Sequence, residues 1–208
     1  MKGVIFDLFN TLVWSPGFMH VLEEVFPGAP IKEICHRTFV EEAGSCEAMV
    51  RQVVADYGIK MSEPEMVTVA LRFHQWAEER PFYPHTQETL RTLRDRGFRL
   101  GLLSNLAEFV EGTLRETRLE RYFDVVGLSY KMHLGKPDPR AFQWVLDRMD
   151  LPADSVVMVG DNWELDVAPA IDMGLKGIQI LRPWRKPGGQ NVTSIEQLLD
   201  LPELARPL

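Results

Sequence analysis

Three short apolar runs in this sequence each end at a polar side chain that could do chemistry. The end residues are Asp7 after residues 4–6, Ser104 after residues 100–103, and Asp161, which one glycine separates from residues 156–159. A carboxylate is suited to covalent catalysis, because its attack divides one difficult displacement into two easier ones. Lys136, within the sequence Gly-Lys-Pro-Asp-Pro, adds the one fixed cation of this constellation.

The runs themselves predict how these side chains are positioned. Continuous apolar runs, rather than alternating ones, are typical of strands that are buried on both faces of a parallel sheet. Further runs of this kind cover residues 125–126 and 178–181, and helical patterns cover residues 86–96, 139–149 and 165–173. Alternating strands and helices predict an α/β fold with a parallel sheet and helices on both faces. Ligands bind outside the carboxyl ends of such strands, so Asp7, Ser104 and Asp161 are expected to converge.

One segment interrupts this alternation. Residues 15–82 contain no convincing strand, only amphipathic stretches at residues 18–25, 48–56 and 66–80. We interpret residues 15–82 as a helical insert, with residues 1–14 and 83–208 forming the core. The tail beyond residue 189 is interpreted as a short terminal helix and cap.

Four ordered motifs give the sequence a family resemblance. They are Phe-Asp-Leu-Phe-Asn-Thr-Leu at residues 6–12, Leu-Ser-Asn at 103–105, Gly-Lys-Pro at 135–137, and Gly-Asp-Asn at 160–162 with Asp166. Their order and spacing resemble those of the haloacid dehalogenase-like hydrolase superfamily. This resemblance implies a Rossmann-like core, and it identifies the helical insert as similar to the α-helical cap domain of that family.

The resemblance also implies roles for the motif residues. Asp7 would be the nucleophile of a phosphatase that acts on a small phosphate ester through an aspartyl-phosphate, with Lys136 and Ser104 completing the catalytic set. Mg²⁺ would be held by Asp7, Asp161 and the backbone carbonyl of Phe9, since this hard ion prefers oxygen ligands. The phosphate would be bound by Ser104, Asn105, Lys136, Thr11 and Asn10, and Asp166 and Asn162 would support the site from behind.

Phe9 departs from the family pattern. Family phosphatases usually carry an aspartate there, which protonates the leaving oxygen and then activates water, and the glycine that follows is replaced by Asn10. Proton transfer from a placed side chain typically contributes about 10²–10⁴-fold. His20, within residues 18–25, is a candidate substitute donor.

Two alternatives follow from Phe9. The dehalogenases of the superfamily usually have an aromatic residue at this position and work without metal, so a 2-haloacid dehalogenase is one. Asp161 argues against it, because dehalogenases tend to have a small neutral residue there. A catalytically weak protein that only binds phosphate is the other alternative.

Composition limits the remaining possibilities. A formal net charge of -7 argues against nucleic-acid binding, which requires a basic patch. The sequence contains no apolar stretch of membrane-spanning length and no signal peptide, so we expect a cytoplasmic protein without a membrane partner. Two cysteines, Cys35 and Cys46, are too few for a disulfide framework. A monomer and a homodimer both remain open.

Overall fold

A computed structural model describes residues 1–15, 17–78, 81–116 and 118–205. Its centre is a sheet of six parallel strands in the order β3-β2-β1-β4-β5-β6. The strands are β1 (Gly3–Phe6), β2 (Arg99–Ser104), β3 (Val125–Leu128), β4 (Val156–Gly160), β5 (Lys176–Ile180) and β6 (Asn191–Val192). The α/β fold with a parallel sheet, expected from the apolar runs, is confirmed.

Helices cover both faces of this sheet. Those of the core are α5 (Thr86–Asp95), α6 (Glu111–Glu116), α7 (Ser129–Met132), α8 (Pro139–Met149), α9 (Ala168–Asp172) and α10 (Pro202–Ala205). Side chains alternate along β1, as the pleat of a strand requires. Val4 and Phe6 join the hydrophobic cluster that contains Leu93 of α5. Ile5 joins the opposite cluster, which contains Val145 of α8.

Four helices lie between β1 and α5, in the segment where the sequence predicts a helical insert. They are α1 (Phe18–Val25), α2 (Ile31–Val40), α3 (Cys46–Asp56) and α4 (Glu63–Glu78). Phe18 lies at their centre, with its ring centroid 5.7 Å from that of Phe73 and 4.8 Å from that of Trp76. The division of the chain into a core and a separate cap domain stays a prediction.

The structure adds elements to those predicted, including α2, β6, α6 and α7. The first is α2, in which Ile34 and Thr38 are buried; its apolar residues Ile31, Ile34, Cys35 and Phe39 have helical spacing that the sequence analysis overlooked. The second is β6, where the sequence analysis places only a terminal helix and cap. A two-residue strand is too short for any pattern to predict, and β6 is recognisable only by its pairing with β5.

Two smaller observations complete the fold. Cys35 and Cys46 are both free, the first half-buried and the second buried. Within the described ranges, no helix combines the length and the apolar character that crossing a membrane would require.

Candidate active site

Asp7 and Asp161 follow two neighbouring strands at the centre of the sheet. Phe6 at the end of β1 is in register with Val159 of β4, and the Asp7 amide donates a hydrogen bond of 2.8 Å to the Val159 carbonyl. Asp161 begins the loop directly after Gly160, the last residue of β4. The expected convergence of these carboxylates at one edge of the sheet is therefore confirmed, and the reason is that β1 and β4 are parallel neighbours.

Lys136 lies between two buried carboxylates. Its Nζ is 2.6 Å from Asp7 Oδ1 and 2.7 Å from Asp166 Oδ1, with all three side chains almost fully buried. Burial alone would lower the pKa of Lys136, but the charges of Asp166 and Asp7 outweigh it and raise that pKa. Lys136 is thus a permanent cation at the carboxylate edge, and Asp166 is placed to orient it.

Three carboxylates form a compact acidic cluster. Asp7, Asp161 and Asp166 each contribute one oxygen to a group whose members all lie within 4.8 Å of one another. Burial, followed by the charge of Asp7, raises the pKa of Asp161. Burial also raises the pKa of Asp166 to about 7, against the opposing charge of Lys136. Because buried carboxylates are hard oxygen donors that a cation would stabilise, this donor set fits Mg²⁺.

Gly160 makes room for Asp166. A Cβ at position 160 would lie 2.5 Å from both Cβ and Cγ of Asp166, closer than real side chains approach one another. Asp166 also accepts a hydrogen bond of 2.9 Å from the Asn162 amide, and the Asn162 side chain caps the turn by accepting from Glu164 and Leu165. Glycine at the end of β4 therefore lets Asp166 fold back against the strand and reach Lys136.

The remaining predicted residues divide between the cavity and its support. Thr11 donates its hydroxyl to Asp7 Oδ2 at 2.9 Å, so it supports Asp7, the predicted nucleophile, from behind. Asn10 has a φ of 60°, a left-handed conformation that asparagine tolerates better than most residues, which explains how it replaces glycine there. Asn105 holds the backbone of Lys136 through two hydrogen bonds of 2.8 Å.

Ser104 is fully buried at the end of β2. Its Oγ has no hydrogen-bond partner in the part of the chain that the structure describes. A buried hydroxyl gains stability from a partner, and a phosphoryl oxygen would supply one. Neither Ser104 nor Thr11 is among the described residues that line the cavity described below, whereas Asn10 and Asn105 are.

The loop after β5 supplies side chains that the sequence analysis missed. Arg185 Nε lies 2.7 Å from Asp161 Oδ2, so Lys136 is not the one compensating cation. Arg182 donates to the carbonyls of Asn10 at 2.6 Å and Thr11 at 3.1 Å, holding the turn after Asp7. The available signal was position, since Arg182 directly follows the apolar run at residues 178–181 and Arg185 lies three residues further along.

A cavity of about 440 Å³ joins the carboxylate edge to the helical insert. Asp7, Phe9, Lys136, Asp161, Asp166 and Arg185 line its floor and rim, and Phe18, Phe39 and Trp76 line the side of the insert. Exposed Lys32 and His36 of α2 also face it. His20, the suggested proton donor, is exposed but is not among the described lining residues, so His36 replaces it as the histidine nearest the cavity.

Comparison with known proteins identifies the family to which this chain belongs. A protein-family model described as haloacid dehalogenase-like hydrolase matches residues 1–174, which include all four motifs. The chain belongs to this family. As a haloacid dehalogenase-like hydrolase it is an enzyme, and the resemblance of its motifs is confirmed.

Relatives of this hydrolase fall into two groups of chemistry. Glyceraldehyde 3-phosphate phosphatase of Methanocaldococcus jannaschii is 27% identical over 97% of this chain and 96% of its own length. (S)-2-haloacid dehalogenase 4A of Burkholderia cepacia is 30% identical over 98% of this chain and 93% of its own length. Both phosphatases and dehalogenases are thus related to the hydrolase along almost its whole length.

Solved structures share the fold of the hydrolase. A 2-haloacid dehalogenase from Pseudomonas syringae superposes with a TM-score of 0.67 at 24% identity, covering 99% of this chain and 98% of the other. A family enzyme from Bacteroides thetaiotaomicron, in complex with magnesium and inorganic phosphate, gives a TM-score of 0.63 at 16% identity, covering 86% and 93%. At these identities the likeness concerns the fold alone.

Proposed function

We propose that this hydrolase is a Mg²⁺-dependent phosphatase that acts on a small phosphate ester through an aspartyl-phosphate on Asp7. The observation that carries the proposal is the buried cluster of Asp7, Asp161 and Asp166, whose carboxylate oxygens lie within 4.8 Å of one another at the floor of a cavity. The phosphatase names among its relatives support the same chemistry.

The proposed reaction begins with Asp7. One of its carboxylate oxygens attacks phosphorus, the bond from phosphorus to the ester oxygen breaks, and the leaving oxygen departs as an anion that takes a proton from solvent water. Water then attacks phosphorus in the acyl-phosphate, releasing inorganic phosphate and regenerating the Asp7 carboxylate. Hydrogen bonds from Lys136 at 2.6 Å and Thr11 at 2.9 Å fix the two oxygens of this carboxylate, so it enters the reaction already oriented.

Positive charge is the second requirement, since Asp7 and a phosphate repel each other. Lys136 contributes a fixed cation, and the Ser104 hydroxyl, which has no partner among the described residues, supplies a donor for a phosphoryl oxygen. Asp7, Asp161 and the Phe9 backbone carbonyl would hold Mg²⁺. When bound, this ion neutralises charge on the transferring group and orients it for in-line displacement.

The helical insert acts, in this proposal, as the cap that recognises the leaving group. Phe18, Phe39 and Trp76 give the cavity an apolar wall opposite the carboxylates. Such a wall favours an ester with an apolar leaving group, because contact with these rings removes apolar surface from water. Lys32 and His36 add polar positions at the same wall.

A second candidate is a metal-independent 2-haloacid dehalogenase. It is favoured by the aromatic Phe9 beside Asp7 and by the 30% identity to a haloacid dehalogenase. Asp161 weighs against it, because the dehalogenases of the superfamily tend to have a small neutral residue at this position.

One comparison separates these functions. Phosphate esters and 2-haloacids are assayed with Mg²⁺ and with chelator, using wild type, Asp7→Asn and the exposed control Asp172→Asn. We expect Mg²⁺-dependent phosphate release that Asp7→Asn abolishes and Asp172→Asn retains. Chelator-resistant halide release would establish the dehalogenase instead, and phosphate binding without turnover would establish a binding protein.

We also propose a cytoplasmic protein, monomeric or homodimeric, without a nucleic-acid or membrane partner. The net charge of -7 supports the exclusion of nucleic acid. Cell fractionation tests the location, and light scattering coupled to size exclusion measures the oligomeric state. Sedimentation with the membrane fraction or a trimer would contradict the proposal.

A further inference from the structure

Arg185 and a metal ion would need the same carboxylate. Arg185 Nε lies 2.7 Å from Asp161 Oδ2, and Asp161 is one of the three buried residues of the acidic cluster. The Asp161 side chain is only 4% exposed, whereas that of Arg185 is 32% exposed. The guanidinium thus approaches the cluster from the solvent side, which is the open side of the cavity.

The loop that carries Arg185 is held firmly against the site. Buried Gln179 donates to the Asp161 carbonyl at 3.1 Å and to the Lys186 carbonyl at 3.0 Å, and it accepts a hydrogen bond from the Gly188 amide at 3.0 Å. The Trp163 ring packs so closely on Gly188 that any side chain there would overlap it. These contacts join the loop after β5 to the loop after β4, so the position of Arg185 beside Asp161 is built into the fold.

Charge in the cluster defines what Arg185 does. Three carboxylates face Lys136 and Arg185, and Lys136 is already shared by Asp7 and Asp166. Asp161 therefore depends on Arg185 for its compensation. We propose that Arg185 is an internal cation that competes with the divalent metal for Asp161 and thereby sets the affinity of the site for Mg²⁺.

Competition follows from the geometry of one carboxylate. Mg²⁺ and the Arg185 guanidinium would repel each other across the shared carboxylate, so the metal binds Asp161 most strongly when the guanidinium moves away from Oδ2. The charge-assisted hydrogen bond between Arg185 and Asp161 is then broken, and its loss weakens the binding of Mg²⁺. Released from Asp161, the partly exposed arginine still faces the cavity, where the substrate anion binds.

Opposite changes in two measurements distinguish this competition from a merely structural role. Replacing Arg185 removes a competitor and should increase metal affinity. The same change leaves Asp161 uncompensated, so the protein in chelator should become less stable. An arginine that only braced the loop would lower stability without increasing metal affinity.

The test compares Arg185→Gln with Lys186→Gln, a matched control that removes a positive charge at the next, exposed position. Titration calorimetry measures the Kd for Mg²⁺, and melting curves in chelator measure stability. We expect Arg185→Gln to lower the Kd roughly tenfold, equivalent to about 1.4 kcal/mol, and to lower the melting temperature in chelator. Lys186→Gln should leave both values unchanged.

Arg185→Lys serves as a second variant, because it retains the charge and should keep both values near those of wild type. A Kd for Mg²⁺ in Arg185→Gln that is equal to or higher than that in Lys186→Gln would overturn the proposal. The lack of Mg²⁺ binding in all variants would overturn it as well. The inference rests on the proposed metal site but not on turnover. If Arg185→Gln binds Mg²⁺ more tightly but wild type releases no phosphate, only the proposed phosphatase activity is wrong. If wild type is active but Arg185→Gln does not change the Kd for Mg²⁺, only the proposed competition is wrong.

Discussion

The Lys136 ammonium and the Asp7 carboxylate form an ion pair 2.6 Å long from which solvent is almost completely excluded. The two residues are separated by 129 positions, and the Lys136 backbone is fixed by Asn105 at the end of β2. This pair orients the proposed nucleophile and supplies positive charge where a phosphate would bind. Because both charges are buried, each of them would be left uncompensated if the other were removed.

Loss of the Lys136 charge should therefore damage stability and activity together. Breaking a buried ion pair by removing one partner costs about 3–5 kcal/mol, because a buried charge is left unpaired. We expect Lys136→Met to lower the free energy of unfolding by about this amount and kcat/KM by at least about 10²-fold. Lys131→Met is the control, since Lys131 pairs with Glu111 at the exposed surface. Near-normal kcat/KM in Lys136→Met would exclude Lys136 from the catalytic set.

Magnesium should stabilise the folded protein through Asp161. A ligand present at 100 times its Kd stabilises by about 2.7 kcal/mol, which raises the melting temperature of a chain of this size by about 5–10 °C. We expect this increase in wild type and in the exposed control Asp172→Asn, and its loss in Asp161→Asn. Melting curves with millimolar Mg²⁺ and with chelator measure it. An unchanged wild-type melting temperature would favour the dehalogenase.

Phe9 should make the rate depend on the leaving group. Without an acid at this position, aryl and acyl phosphates should react faster than alkyl phosphates, because their leaving oxygens need little protonation. We expect a ratio of kcat/KM values of about 10² or more, and Phe9→Asp should reduce it by restoring part of the proton transfer. Phe9→Asn, which introduces a side chain of the size of aspartate but without a transferable proton, should not reduce this ratio. Steady-state kinetics on matched substrates give these ratios.

Equal wild-type rates on both substrate classes would mean that another residue donates the proton. His36 lines the cavity and is then the first candidate, ahead of His20. In that case His36→Gln should create the dependence on the leaving group that Phe9 was expected to cause, whereas His20→Gln should not.

Gly160→Ala should displace Asp166 from Lys136. The added methyl group would lie 2.5 Å from Asp166 Cβ, and forcing a group into a packed interior typically costs about 1–3 kcal/mol. We expect lower stability together with reduced kcat/KM. Gly112→Ala is the control, because a Cβ at position 112 meets no atom of the described residues within 4 Å. A fully active, stable Gly160→Ala would show that Asp166 is not needed to orient Lys136. Urea unfolding and steady-state kinetics measure both effects.

The sequence alone was sufficient for five of the six strands and for the convergence of Asp7 and Asp161. Residues 4–6 and 156–159 are continuous apolar runs, which are stable only when buried on both faces. Parallel strands then place Asp7 and Asp161 at one edge by topology, before any side-chain contact is considered. The strand β6 escaped prediction because it depends on its partner strand, whereas the apolar spacing of α2 was present in the sequence and was overlooked.

Tertiary structure alone decided the charge balance of the site. Arg185 meets Asp161 across 24 positions, and Arg182 meets Asn10 across 172. In the sequence both resemble ordinary surface arginines after a strand. Their partners become evident only when the loop after β5 folds over the ends of β1 and β4, because the energy of an ion pair depends on distance and burial in space and not on separation along the chain.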